Sequence, residues 1–131
     1  MIPGKGRLSV EGLDYLNEVM SILDFTRPDT LKIAFAKGIA DPDTPLELRM
    51  RTSANSEYPF TVLASAPEDV LMYKHLIYNK LERMLDAKEL EKYIMHFVEE
   101  GLKIMYRETK ELAGASNYLL YLVDKHSEGQ K

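Results

Sequence analysis

His96, Glu99 and Glu100 have the side-chain types and the spacing from which a divalent cation could be held. An imidazole and two carboxylates separated by three and four residues share one face of a helix. The same spacing also describes a solvated charged face, and that is the reading adopted for it. The other histidines, His75 and His126, fall elsewhere, on a separate helix and in the tail. No phosphate-binding loop, dinucleotide fingerprint, two-histidine zinc helix or nucleophile elbow occurs, and Gly4-Lys5-Gly6 follows no strand. With no cysteine in the chain, disulfides, cysteine-held zinc, iron–sulfur clusters and a cysteine nucleophile are excluded. No aspartate or glutamate lies in an apolar run that would suit it to general-acid work. The expectation is a protein that is not an enzyme, with no metal and no cofactor.

A second set of side chains suits DNA. In Lys5-Gly6-Arg7-Leu8-Ser9-Val10, polar and apolar residues alternate, so a strand would carry Leu8 and Val10 on one face and Lys5, Arg7 and Ser9 on the other. Lysine and arginine can read guanine edges. The free N–H groups at a helix start near Thr26 and Arg27 could take a phosphate. The charge balance limits this reading: the net charge is −4, with −1 over residues 1–52 and −3 over 53–131. Proteins that hold DNA by bulk electrostatics are normally basic, so any contact must come from a local patch.

The elements that would position these residues read as mainly α. Ser9 can cap a helix over about 11–24, whose apolar stripe is Leu13, Leu16, Met20 and Leu23. Thr26 caps a second helix with Pro28 in its first turn, Asp29 suits its dipole, and Gly38 is a plausible stop. Breakers crowd residues 41–66, a connection in which Tyr58, Phe60, Val62 and Leu63 supply packing and a short strand can form. Ser65-Ala66-Pro67-Glu68 starts a third helix with the stripe Tyr73, Leu76, Ile77, Leu81 and Met84. Asp86 with Glu89 starts a fourth, which runs to about residue 112 on Leu90, Ile94, Phe97, Val98, Leu102, Met105 and Leu112. Ser116 caps a last helix to about Lys125, and 126–131 is a frayed tail. The expectation is a single domain over 1–131: a strand–helix–helix unit at 1–40, then a helical half at 67–125 completing a bundle.

Two features of this layout leave alternatives open. A lone strand ahead of two helices has unpaired backbone groups. Pairing with the same strand of a second protomer would build a ribbon-helix-helix dimer; pairing with the segment near Phe60–Leu63 would build nothing that reads DNA. At the other end, the apolar run Tyr118–Val123 is either buried on several sides or meets another subunit. Leu8, Val10, Tyr118, Leu119, Tyr121 and Leu122 are therefore the candidate oligomer contacts.

Ordered along the chain, several segments resemble the DndE family of DNA sulfur-modification systems. These are Arg7-Leu8-Ser9 with its helix, Phe25-Thr26-Arg27-Pro28 leading into Leu31–Ile39, the Asp41-Pro42 exit, Glu57–Leu63, Asp69…Tyr73-Lys74-His75-Leu76 and His96–Leu102. The resemblance spans about residues 7–112. It implies a small helical accessory subunit of phosphorothioation, the exchange of a non-bridging DNA backbone oxygen for sulfur, without catalytic residues of its own. It also implies a homo-oligomer (dimer or tetramer), binding of nicked duplex DNA through surface lysines, and partners that are sulfurtransferase-like and ATPase-like. The cations available in the first half are Lys5, Arg7, Arg27, Lys32, Lys37, Arg49 and Arg51.

The alternatives are a ribbon-helix-helix transcription regulator or antitoxin, and a structural oligomerisation module that does not bind DNA. No apolar run reaches the ~18–20 residues of a membrane span, and the start Met-Ile-Pro-Gly-Lys-Gly lacks a secretory apolar stretch. The expected location is the cytoplasm, with no membrane partner.

Overall fold

The computed structural model describes residues 5–48, 53–59, 63, 67–112, 120 and 123. Among these, the chain forms strand β1 (Lys5–Ser9), helix α1 (Val10–Leu23), helix α2 (Arg27–Ala40), strand β2 (Ser53–Pro59), helix α3 (Pro67–Leu81) and helix α4 (Ala87–Leu112). The fold is mainly α, opening with a short strand, as the residue pattern predicts.

Local chemistry accounts for the helix starts. The Ser9 hydroxyl accepts from the Gly12 N–H at 2.9 Å and caps α1. The Thr26 hydroxyl accepts from the Asp29 N–H at 3.3 Å and caps α2, with Pro28 in the first turn. At α4, Asp86 and Glu89 form a reciprocal box: the Glu89 N–H donates to Asp86 at 2.8 Å, and the Asp86 N–H to Glu89 at 3.4 Å. α1 ends on Asp24 in the left-handed region, whose N–H returns to the Met20 carbonyl.

Helix α4, about 39 Å long at 1.5 Å per residue, is the spine. It packs along α2 and also touches α1, α3 and β1. The α2–α4 contact is made by the absence of side chains. A Cβ on Gly101 would overlap the Ala34 carbonyl, and one on Gly38 would overlap the Phe97 carbonyl. Gly38 is therefore not a stop: α2 continues to Ala40, and Gly38 lies buried where the two backbones meet. Around this crossing the core gathers Leu16, Val19, Leu31, Phe35, Ile77, Ile94, Phe97, Val98, Leu102 and Met105. Phe35 meets Tyr73 edge-on at 4.4 Å. On α3 the predicted stripe is only partly right. Tyr73 and Ile77 are buried, but Leu76 and Met84 are exposed.

The N-terminal strand is not a lone ribbon. β1 pairs antiparallel with β2 of the same chain, with Lys5 opposite Pro59, Gly6 opposite Tyr58 and Arg7 opposite Glu57. The register then slips, so that Ser9 faces Ser53. Of the two open pairings, the intrachain one is realised, slightly earlier in sequence than Phe60–Leu63. The backbone groups that called for a second protomer are satisfied internally. Leu8 follows from this: it is fully buried in its own core and not an oligomer contact. Val10 begins α1 and is exposed.

Candidate functional site

The His96, Glu99 and Glu100 triplet is neither solvated nor a metal site. All three are buried, at 1%, 7% and 7% exposure, because other elements cross the middle of α4. Glu99 reaches the corner where β1 becomes α1. One of its oxygens accepts from the Ser9 N–H at 2.7 Å and the other from the Ser9 hydroxyl at 2.8 Å. A carboxylate suits this place, since a helix N-terminus presents unpaired N–H groups and a positive dipole end. Gly12 leaves room for it; a Cβ there would overlap the Glu99 carboxylate. His96 turns elsewhere. Its Nε2 lies 2.5 Å from the Pro45 carbonyl, fastening the chain that leaves α2, and its ring packs edge-on against Phe97. The two side chains diverge, and among the described residues no group of three histidine or carboxylate side chains could hold a metal ion. The sequence contained a signal for this burial: Phe97-Val98 and Gly101-Leu102 flank the pair of glutamates.

The structure scatters the DNA candidates of the first half. Ser9 is buried and engaged with Glu99 and Gly12, so the alternation that turned it outward with Arg7 ends at the register slip. Lys37 is removed too: its ammonium lies 2.7 Å from Glu108, with both side chains about nine-tenths buried. Arg7 and Lys32 are exposed, on β1 and α2, and Arg27 is half-buried at the start of α2. Thr26 is exposed but committed to its cap. Lys5 belongs to β1; its side chain lies outside the described residues, as do Arg49 and Arg51. The same holds for Tyr118, Leu119, Tyr121 and Leu122, for the cap at Ser65 and for the tail 126–131. Within the predicted last helix, Leu120 and Val123 are helical and exposed.

Charge is segregated between helices in a way that the first-half cations do not reflect. The exposed charges of α1 are all acidic, Glu11, Asp14 and Glu18. Those of α4 are Lys88, Lys92, Lys103, Arg107 and Lys110 against Glu111. Lys110 returns to Glu18 at 3.6 Å and lies over the Tyr106 ring. The other four have no ion-pair partner among the described residues. Their four-residue spacing within each pair was a legible signal.

No model of a known protein family matches the chain, and no match is found among curated proteins. The fold does resemble a solved structure. The crystal structure of a mutant of DndE, a protein involved in DNA phosphorothioation, superposes with a TM-score of 0.61 at 17% identity. The match covers 80% of this chain and 99% of that one.

Proposed function

We propose that this chain, whose fold is DndE-like, is a non-catalytic accessory subunit of a DNA phosphorothioation system. It would work in the cytoplasm beside sulfurtransferase-like and ATPase-like partners, binding DNA or scaffolding the complex. One observation carries the reading: the fold reproduces nearly the whole length of DndE rather than a fragment of it. The one triplet with metal-ligand spacing, His96, Glu99 and Glu100, is buried, and Glu99 and His96 tie α4 to Ser9 and to the chain at Pro45. The ribbon-helix-helix regulator loses support, because its reading strand is paired at home and Ser9 is buried.

The test is deletion of the gene with measurement of DNA sulfur content, together with co-purification from cells carrying the tagged chain. Loss of DNA sulfur and recovery of both partners are expected. Unchanged sulfur with neither partner recovered would reject the reading. The structural-module reading is favoured by a different observation, the exposed Leu71, Met72 and Leu76 on α3. It expects no DNA binding, and a smaller mass in solution for Met72→Glu/Leu76→Glu; an unaltered mass would remove it.

A further inference from the structure

We infer that the cleft between α1 and the last turns of α4 is a docking site for a basic, arginine-bearing segment of a partner protein. Such a site goes beyond the proposed function and is independent of any role in DNA modification.

The sequence of α1 builds one wall. Val10–Leu23 contains no lysine or arginine, and its exposed charges, Glu11, Asp14 and Glu18, follow at three and four residues, in a row on one face. Leu16, Val19 and Leu23 turn the opposite side into the core. Tyr15 of α1 and Tyr106 of α4 meet across the gap, with ring centres 4.8 Å apart and planes tilted by 35°. These five side chains line an open cleft of about 620 Å³.

The rim of this cleft already holds a cation, supplied by the chain itself. The Lys110 ammonium lies 5.2 Å from the centre of the Tyr106 ring and 3.6 Å from the Glu18 carboxylate. It thus uses both modes of recognition that the lining offers, an aromatic face and a carboxylate. Glu11 and Asp14 have no ion-pair partner among the described residues, and they remain for a cation from outside.

Charge complementarity names the class of occupant. A nucleic acid or an anionic membrane is repelled by the carboxylate row. A metal ion is a poor match, because among the described residues no three histidine or carboxylate side chains converge to hold one. The row instead extends over about 10 Å from Glu11 to Glu18, at 1.5 Å per residue. Residues three apart in an extended segment are separated by about the same distance, at about 3.3 Å each. Cations strung along a peptide therefore meet the carboxylates in turn. Arginine suits the lining better than lysine: its planar guanidinium can lie on a tyrosine face while its fork pairs with a carboxylate.

The experiment is an anisotropy titration of the full chain against a labelled glycine–serine peptide carrying three arginines at three-residue spacing. Versions with lysine or glutamine in place of arginine are compared, and circular dichroism confirms that each protein variant is folded. Asp14→Asn/Glu18→Gln should weaken binding about tenfold. Glu47→Gln/Glu68→Gln removes the same charge from elsewhere on the surface and should change it by less than about twofold. Tyr106→Leu should weaken binding about threefold. Lys110→Ala vacates the ring and Glu18, and should tighten binding about threefold; Lys32→Ala, the same charge change on α2, should not. The lysine peptide should bind more weakly and the glutamine peptide not at all. Equal losses from the two carboxylate pairs, equal responses to Lys110→Ala and Lys32→Ala, equal binding of the arginine and lysine peptides, or no binding by the unaltered protein at low salt would overturn the inference. Displacement of the peptide by spermidine as readily as by unlabelled peptide would also overturn it, in favour of a polyamine site.

Discussion

Helix α4 meets its neighbours in two opposite ways. Against α2 it has no side chain where the backbones touch, and Gly101 and Gly38 let carbonyls take the space of a Cβ. Against the β1–α1 corner it extends a carboxylate, and Glu99 satisfies a buried N–H and a buried hydroxyl at once. The first junction depends on shape and fails when atoms are added. The second depends on charge and hydrogen bonding and fails when an acceptor is lost. A residue type by itself announces neither role: a helical glycine can be a stop or a close contact, and a helical glutamate can be solvated or structural.

The largest effect should come from adding atoms at the glycine junction. Gly101→Val is expected to cost roughly 3 kcal/mol or more in urea unfolding, the upper range for overpacking. Gly101→Ala is the sharper test of sign. In an open helix it would stabilise by about 1 kcal/mol, so a stabilised variant would show that the backbones do not approach as described.

Next comes the ion pair that closes the α2–α4 side. Lys37→Met takes the ammonium away from the buried Glu108 carboxylate, and should cost about 3 kcal/mol. Lys37→Met/Glu108→Leu should recover most of that loss. A double variant no better than the single would mean the pair is not buried together. At the polar corner, Glu99→Gln removes the charge and one acceptor while keeping the shape, for about 2 kcal/mol. A neutral result would say that Ser9 finds another partner.

The smallest effect appears only in alkali and concerns α3. Burial, then the negative charge of Asp69, push the Tyr73 hydroxyl up to about 12. A raised folded-state value means full stability below the unfolded value of 10, and loss as pH rises from 10 toward 12. The slope should be about 1.4 kcal/mol per pH unit at most, and Tyr73→Phe should flatten it. An unchanged slope in that variant would put the alkaline transition elsewhere.

What could be read in advance follows the range of the interactions. The Ser9, Thr26 and Asp86 caps are local, each completed within three residues, and all three were legible. So was the apolar stripe of α4, since a long helix averages over many turns. On α3 the period left the rotation of the helix uncertain, and Leu76 went to the wrong side. The partner of β1 was harder still, because it lies some fifty residues away across a connection rich in breakers. The buried polar side chains of α4 depend on which elements cross it, which no local pattern states. The fold likeness adds that a chain of 17% identity, DndE, adopts a similar fold.

Closure of the N-terminal strand within one chain underlies the Glu99 corner and removes the two-protomer ribbon, and it can be tested by covalent capture. The chain has no cysteine, so Arg7→Cys/Glu57→Cys, placed at facing positions of β1 and β2, introduces a single pair. Mild oxidation followed by mass analysis should give an internally cross-linked chain of the 15.0 kDa species. A covalent dimer at twice that mass, formed at low protein concentration, would contradict the account and restore the strand to a partner.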